Sequence, residues 1–288
     1  MIQSVNFHLW EPCNMRCKFC FATFQDVKQS ILPKGHLPKE EAIEVVLQLA
    51  DIGFEKITFA GGEPTLCPWL PDLIATAKDA GLTTMIVSNG SKISDEFLVA
   101  NQSKLDWIAV SIDSLNDTTN INSGRAICGK SPLTHQYYSK LVEKIKHFGY
   151  GLKINTVVSN SNFTENMSAF IRYANPKRWK LLQVLPIKGQ NDVNIDDFII
   201  SEEAFKHFLD KHSHLKNVVQ IVPESNEQIK GSYAMVDPAG RFFENITGTH
   251  LYSRPITEIG AKLAIQQVNY NQTKFIERGG IYNWILPK

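Results

Sequence analysis

Ser4-Val-Asn-Phe-His-Leu9 is followed one residue later by Glu11-Pro-Cys-Asn-Met-Arg-Cys-Lys-Phe-Cys-Phe21. In the first stretch Val5, Phe7 and Leu9 alternate with Asn6 and His8, the two-residue period of a strand with one apolar face. The second places Cys13, Cys17 and Cys20 as C-x3-C-x2-C directly after that strand. Three thiolates hold three irons of a four-iron–four-sulfur cluster and leave the fourth iron open. An open iron binds the amino and carboxylate groups of S-adenosylmethionine (SAM) and passes it an electron, releasing a 5′-deoxyadenosyl radical. A zinc knuckle and three unrelated buried thiols are the competing readings. The spacing is not that of zinc-type C-x2-C pairs, and no further Cys-x-x-Cys or His pair completes a zinc tetrad. Cys67 and Cys128 are expected to be free, mostly buried thiols, because a fourth thiolate would block SAM.

The rest of the composition suits an enzyme of one unit. The 288 residues exceed the rough prior of about 150 per domain, but α/β barrels run to about 200–250 as one. Hydrophobic residues at 43% supply a sizeable core. With 30 basic against 29 acidic residues there is no global field to draw nucleic acid or a membrane surface, so any cationic site is local. Five cysteines, three of them in one motif, argue against a disulfide framework and for a reducing compartment. No apolar run approaches the ~20 residues of a membrane span, and the N-terminus has no signal-peptide pattern. The expected state is a cytoplasmic monomer with no nucleic-acid or membrane partner.

Strand and helix alternate through the first two thirds. Strands are expected at 4–9, 56–59, 83–87, 107–112, 152–157 and 179–184, with helices between them at 39–52, 70–80, 94–102 and near 165–174. A long polar loop leads from the fourth strand to residue 131, before a helix that ends at Gly149. Six βα-type units in order imply parallel strands with right-handed crossovers. Six are too few for a closed eight-stranded barrel, so the expected form is a partial (β/α)6 three-quarter TIM-type barrel with ligands at the carboxyl ends of its strands. Residues 1–184 form that core. Residues 185–288 read as an extension of the same domain that closes the open side, with a polar helix at 201–214, a strand at 218–222 and a hairpin turning at Asp237-Pro-Ala-Gly240. On the polar helix His207, His212 and His214 are expected to be solvated.

Several strands carry cations at two-residue spacing. Lys153 and Asn155 share a face, as do Arg178 and Lys180, Lys56 and Thr58, and Asn6 and His8. The other face must meet the helices, so these groups point into the barrel. An unpaired buried ammonium costs several kcal/mol, and four such cations without nearby carboxylates imply an anionic occupant. Arg125 adds a guanidinium suited to phosphate. A lysine that snorkels from a strand end to water is the plainer reading of any one position. A nucleoside triphosphate is the most economical ligand for all of them. His8, inward on the first strand, is a candidate proton source, against a hydrogen-bonded interior histidine.

The cysteine segment, Gly61-Gly62-Glu63-Pro64 after the second strand and Ser88-Asn89-Gly90 after the third resemble the radical SAM superfamily. That resemblance implies SAM at Gly61, Gly62, Glu63, Ser88, Asn89 and Ser111. Further blocks narrow it: Ser4 to His8, Glu55 to Pro64, Asn175-Pro-Lys-Arg-Trp-Lys180, Val222-Pro-Glu-Ser-Asn226 and Arg278-Gly-Gly-Ile-Tyr282 resemble the viperin family across nearly the whole chain. The resemblance implies conversion of a nucleoside triphosphate (CTP first, UTP or GTP as alternatives) to its 3′-deoxy-3′,4′-didehydro analogue, a chain terminator with an antiviral use. By matching motif, Lys56, Arg125, Lys153 and Lys180 hold the triphosphate, joined by Arg178 from the inward strand face, Asn6 and Asn155 contact the sugar–phosphate region, and Tyr282 lies in a lid over the base and is a second candidate proton source. The electron comes from an external donor such as flavodoxin or ferredoxin. The chain departs from the animal pattern in beginning at its first strand, without their N-terminal amphipathic helix, and in carrying Ile281 where a basic residue is usual. Two other readings stand against this one. A radical SAM enzyme acting on GTP for molybdenum-cofactor synthesis needs a second cysteine trio, which is missing after Cys128. A non-catalytic iron–sulfur or zinc nucleotide sensor would not cleave SAM.

Overall fold

A computed structural model describes residues 3–285. All six expected strands form: β1 (Ser4–Trp10), β2 (Lys56–Gly61), β3 (Thr83–Ser88), β4 (Trp107–Ser111), β5 (Gly151–Val158) and β6 (Arg178–Gln183). They pair in parallel and in chain order. The stretch after residue 184 then adds two more parallel strands, one at each end. β7 (Gln220–Glu224) extends the sheet beyond β6, and β8 (Ala234–Val236) lies beside β1. The expected hairpin joins β8 to β9 (Arg241–Glu244), and β10 (Leu251–Pro255) follows it, both pairings antiparallel. The ten strands run β10-β9-β8-β1-β2-β3-β4-β5-β6-β7. Eight parallel strands therefore make an open arc, a partial α/β barrel. The strand expected at 218–222 and the first arm of the expected hairpin both form, but they join the parallel sheet at its two ends instead of standing apart in an extension.

The helices cover the arc because each carries one apolar stripe. α1 (Lys39–Asp51) buries Ala42, Val45, Val46 and Leu49, and α2 (Leu70–Asp79) buries Leu70, Leu73, Ile74 and Ala77. α3 (Asp95–Asn101) opens at Ser94, whose hydroxyl accepts from the Phe97 amide. These stripes meet the outward residues of the strands, such as Val5, Phe7, Ile57 and Phe59, all fully buried. The loop after β4 is more ordered than its polarity suggests. It holds α4 (Asp117–Asn122) and a short ribbon of Ala126–Ile127 against Ser131–Pro132 before α5 (His135–His147). Asn116 caps α4 by accepting from Thr118 and Thr119 amides, the local side-chain bonding that polar sequences favour. α6 (Ser168–Ala174) and α7 (Glu202–Lys211) follow in the outer layer.

Side chains bridge the arc where the backbone does not. The Arg278 guanidinium donates to the Ser232 carbonyl, just before β8, at 2.9 Å and to Glu224, at the end of β7, at 3.0 Å. Tyr233 also donates to Glu224. Two expectations about single side chains change. Cys67 is buried, but Cys128 is exposed. His212 is fully buried, with Nε2 accepting from the Met167 amide at 3.0 Å and its ring edge-on to Trp179. It caps the end of α7 from inside the core, while His207 and His214 are exposed.

Candidate active site

One cavity of about 890 Å3 runs through the arc, with the three cysteines at one end and the cations at the other. The cysteine loop leaves β1 and is seated by backbone bonds on the segment before the ribbon and on the ribbon's turn: the Arg16 amide donates to Gly124 at 3.0 Å, Lys18 to Ser123 at 2.9 Å, and Cys128 to Asn14 at 2.7 Å. Gly124 has φ +75°, and a Cβ there would overlap the Arg16 carbonyl oxygen. Gly62 is equally committed, because its Cβ would run into the carbonyls of Glu11 and Pro12. Asn14 ties the loop to the end of β3, accepting from Asn89 at 2.9 Å and donating to Ser91 at 2.8 Å.

Burial pushes the Cys13 thiol up to about 11 and Cys17 to about 12, and raises Cys20 as well, while Arg125 opposes the shift at all three. Thiols held this way release their protons to a metal rather than to water. Among the described residues no three His, Cys, Asp or Glu side chains gather closely enough to share one ion. A four-iron cluster does not require that, since each thiolate takes a different iron. The seated loop and its three thiols on one cavity wall fit such a cluster.

The opposite end is built from the first residues of strands. Lys56 opens β2, Arg178 opens β6, and Lys153 and Lys180 stand two positions into β5 and β6, where register sets Lys153 beside Arg178. All four are buried. Lys180 pairs with Glu224 at 2.6 Å and donates to Tyr233. Arg178 stacks on Tyr282, 3.8 Å from the ring centre, and donates to the Gly279 carbonyl at 2.8 Å. Lys56 donates to the Tyr282 hydroxyl at 3.0 Å. Lys153 makes no hydrogen bond or ion pair among the described residues. Burial, then the neighbouring Arg178 and Arg278, hold Lys56 down to about 7. Burial and Arg278 bring Lys180 to about 7 against the pull of Glu224. Burial and three cationic neighbours lower Lys153 well below its ordinary value. Burial would raise the Glu224 carboxyl, but Lys180 and Arg278 overcome it and hold the group at about 2.

Between the two ends the wall is polar and unpartnered. Asn155 Oδ1 and Thr58 Oγ1 are buried with nothing to bond, and Asn6 faces the same space. Gly61, Gly62, Ser88, Asn89 and Ser111 line the cavity at the cysteine end, but Glu63 does not. It is a fully buried strut: its carboxylate accepts from Thr65, from Ser88 Oγ at 2.8 Å and from the Asn89 amide at 2.7 Å, joining the ends of β2 and β3. Arg125 also stands apart from the other cations. Asp113 holds its Nε at 2.6 Å, beside the cysteines.

Both ring nitrogens of His8 are buried without a partner, and the ring lies edge-on to Phe21, Phe24 and Phe243. Burial and then His250 hold it near 3, so it is neutral, and the hydrogen-bonded interior histidine is not what forms. Tyr282 lies beside Lys56 and Arg178 at the first residues of β2 and β6. Its tail passes under their amino ends, where the Trp107 indole donates to the Trp284 carbonyl at 2.7 Å. Sequence reasoning overlooked Glu224, Tyr233 and Arg278. Glu224 and Arg278 lie inside quoted blocks; Tyr233 carries no local signal.

The radical SAM superfamily profile matches residues 10–174, more than half of the chain. An S-adenosylmethionine-dependent nucleotide dehydratase of Flammeovirga pacifica is 55% identical over 284 residues, covering 99% of this chain and 97% of that protein. The chain belongs to the viperin family of radical SAM proteins. A second protein of that name, from Lacinutrix mariniflava, is 64% identical over 287 residues. The viperin-family chain described here is matched in full and spans about 60% of the length of that relative. Among solved structures, native anSMEcpe with bound AdoMet and Kp18Cys peptide superposes with a TM-score of 0.71 at 16% identity, over 96% of this chain and 82% of that one. That likeness concerns the fold, the partial barrel. SAM is the cofactor of the superfamily. No helix among the described residues is long and apolar enough to cross a membrane.

Proposed function

We propose that this chain is a radical SAM dehydratase that converts a nucleoside triphosphate, CTP first, to its 3′-deoxy-3′,4′-didehydro analogue. The observation that carries the reading is the polarity of one cavity, thiols at one end and a buried cation group at the other, with unpartnered amide and hydroxyl groups between. Cys13, Cys17 and Cys20 would hold a four-iron–four-sulfur cluster, and Gly61, Gly62, Asn89 and Ser111 the SAM beside it. Together these groups supply a 5′-deoxyadenosyl radical able to take hydrogen from C4′ of the ribose. Loss of the 3′-hydroxyl as water then needs one electron and one proton, and leaves the 3′,4′ double bond.

The chain's own residues do the positioning. Lys56, Lys153, Arg178 and Lys180 anchor the triphosphate at the amino ends of the strands, which sets the ribose against Asn6, Thr58 and Asn155 and directs C4′ toward the cysteine end. Anchoring by remote charge is an efficient way to reach the separation of roughly 3–3.5 Å that hydrogen transfer requires. Arg125 steadies the cysteine loop through Asp113 rather than joining the phosphate group. Tyr282 belongs to the phosphate end and is assigned there, not to the proton delivered at the sugar. His8, neutral and closer to the cysteine loop along β1, is a positioning group for the ribose end. Flavodoxin or ferredoxin is assigned as the source of the electron, and the product as a chain-terminating antiviral nucleotide.

Anaerobically reconstituted, reduced protein given SAM and CTP, UTP, GTP and ATP in competition tests this directly. Mass spectrometry should find 5′-deoxyadenosine and one nucleotide product lighter by a water, both lost in Cys17→Ala. Cleavage of SAM without any nucleotide product would overturn the substrate class. No SAM cleavage would favour the sensor.

A further inference from the structure

A polyphosphate usually travels with Mg2+, which takes one or two protein carboxylates together with the phosphate oxygens. The cation end of this cavity has the opposite inventory. Glu224 pairs with Lys180 and Arg278, and among the described residues no carboxylate forms an ion pair with Lys56, Lys153 or Arg178. Glu224 is itself fully buried and occupied by Lys180, Arg278 and Tyr233. The carboxylates on the cavity wall, Glu11 and Asp113, lie at the cysteine end, and Asp113 holds Arg125.

We propose that this site takes its nucleoside triphosphate as the free polyanion, not as a magnesium complex. The proposal rests on the functional reading above and names the form of the substrate at that same site. Lys56, Lys153, Arg178, Lys180 and Arg278 against Glu224 leave an excess of cations. A triphosphate brings roughly four negative charges near neutral pH, since its terminal group ionises twice, with a second pKa of about 6. Magnesium would cancel about half of that charge and press a dication against a cationic wall with no carboxylate free to receive it. The protein's own ammonium and guanidinium groups do the neutralising instead.

Proton uptake follows from the same arrangement. In the empty cavity burial and mutual repulsion leave Lys56 and Lys180 near 7 and Lys153 lowered further. The tyrosines facing them remain protonated, Tyr282 raised to about 12 by burial and Tyr233 raised well above its ordinary value by the same cause, so the phenols do not donate to the exchange. An arriving polyanion restores the ammonium charge, and binding at pH 8 draws protons from the buffer.

The test is calorimetric titration of the purified full chain with CTP, and with inorganic tripolyphosphate as a base-free probe, at constant ionic strength. One arm contains a chelator and the other excess MgCl2. The expected result is binding in chelator that weakens at least tenfold in excess magnesium, with heats that vary with the ionisation enthalpy of the buffer in the sense of proton uptake. Lys153→Ala should reduce that uptake. Binding that needs magnesium, or tightens with it, overturns the free-polyanion form and leaves the dehydratase reading standing. Binding of neither probe in either arm overturns the functional reading and this inference with it.

Discussion

Glu224 and Lys153 show how a buried charge differs with its company. Glu224 stands among two cations and a tyrosine, so replacing it leaves Lys180 and Arg278 unpaired inside the protein. Glu224→Gln should destabilise the chain by about 3–5 kcal/mol, read from urea denaturation at pH 7. Its folded value of about 2 lies below that of an unfolded glutamate, so its contribution is full above the unfolded value and is lost as pH falls toward 2. A change within experimental error at pH 7 would mean that the pair adds nothing. Lys153 has the opposite position, with three cationic neighbours and no partner. Lys153→Ala removes a buried amine that has no partner in the free protein, so its melting temperature should hold or rise. The same change should weaken CTP binding roughly ten- to a hundredfold, since hydrogen bonds to charged groups contribute about 1.5–3 kcal/mol. A lower melting temperature with unchanged affinity would make this lysine structural.

At the scale of elements, two short segments decide whether the barrel has a usable interior. The cysteine loop depends on Gly124, where φ +75° and contact with the Arg16 carbonyl exclude a side chain. Gly124→Ala should unseat the loop and lower iron content and brown absorbance after reconstitution, while circular dichroism stays that of the parent. Full iron loading would show that the seat is not needed. The tail of residues 279–285 closes the amino end of the arc, held by Trp284 packed on Met85 and Trp107 and by Tyr282 under Lys56 and Arg178. A buried tryptophan cut to alanine costs about 3–5 kcal/mol, and at a chain end that cost appears as local release. Trp284→Ala should therefore expose the tail to limited proteolysis and weaken nucleotide binding with little shift in the main unfolding transition. Continued protection would place the anchor elsewhere.

For the whole molecule, the cation group makes stability depend on pH in an uncommon sense. Lys56 and Lys180, at about 7 folded, and Lys153, lowered as well, lie below the ordinary lysine value, so the unfolded chain binds more protons between those limits. Stability rises with pH wherever the unfolded state binds more protons. The melting temperature of the nucleotide-free protein should rise from pH 7 to 8.5, and saturating CTP should flatten or reverse that slope. A falling slope without nucleotide would mean that these lysines are already charged and compensated. The exposed Lys–Asp and Lys–Glu pairs on the outer helices contribute little to such a curve because water and salt screen them.

The sequence by itself determined the local and periodic parts of this protein. Strand alternation at Val5, Phe7 and Leu9, helical spacing at Ala42, Val45, Val46 and Leu49, and the cap at Ser94 are encoded within a few residues, and each formed where its spacing placed it. The cysteine trio and the inward-facing pairs at 153/155 and 178/180 were legible for the same reason, since a two-residue period needs no partner to be read. The family likewise followed from contiguous blocks. Only the tertiary structure decided what lies opposite what. β7 and the hairpin arm β8 were legible as strands, but they become barrel strands only because β6 and β1 offer them free edges. Glu224 becomes the counter-charge of Lys180 and Arg278 only when β7 docks, Arg125 turns to Asp113 and the cysteines, and His212 is drawn into the core to receive the Met167 amide. The tail seals the amino end of the arc because buried cations and a tryptophan socket, assembled from five separate segments, meet there. Contacts between residues far apart in the chain depend on packing and desolvation, and no local pattern in the sequence records them.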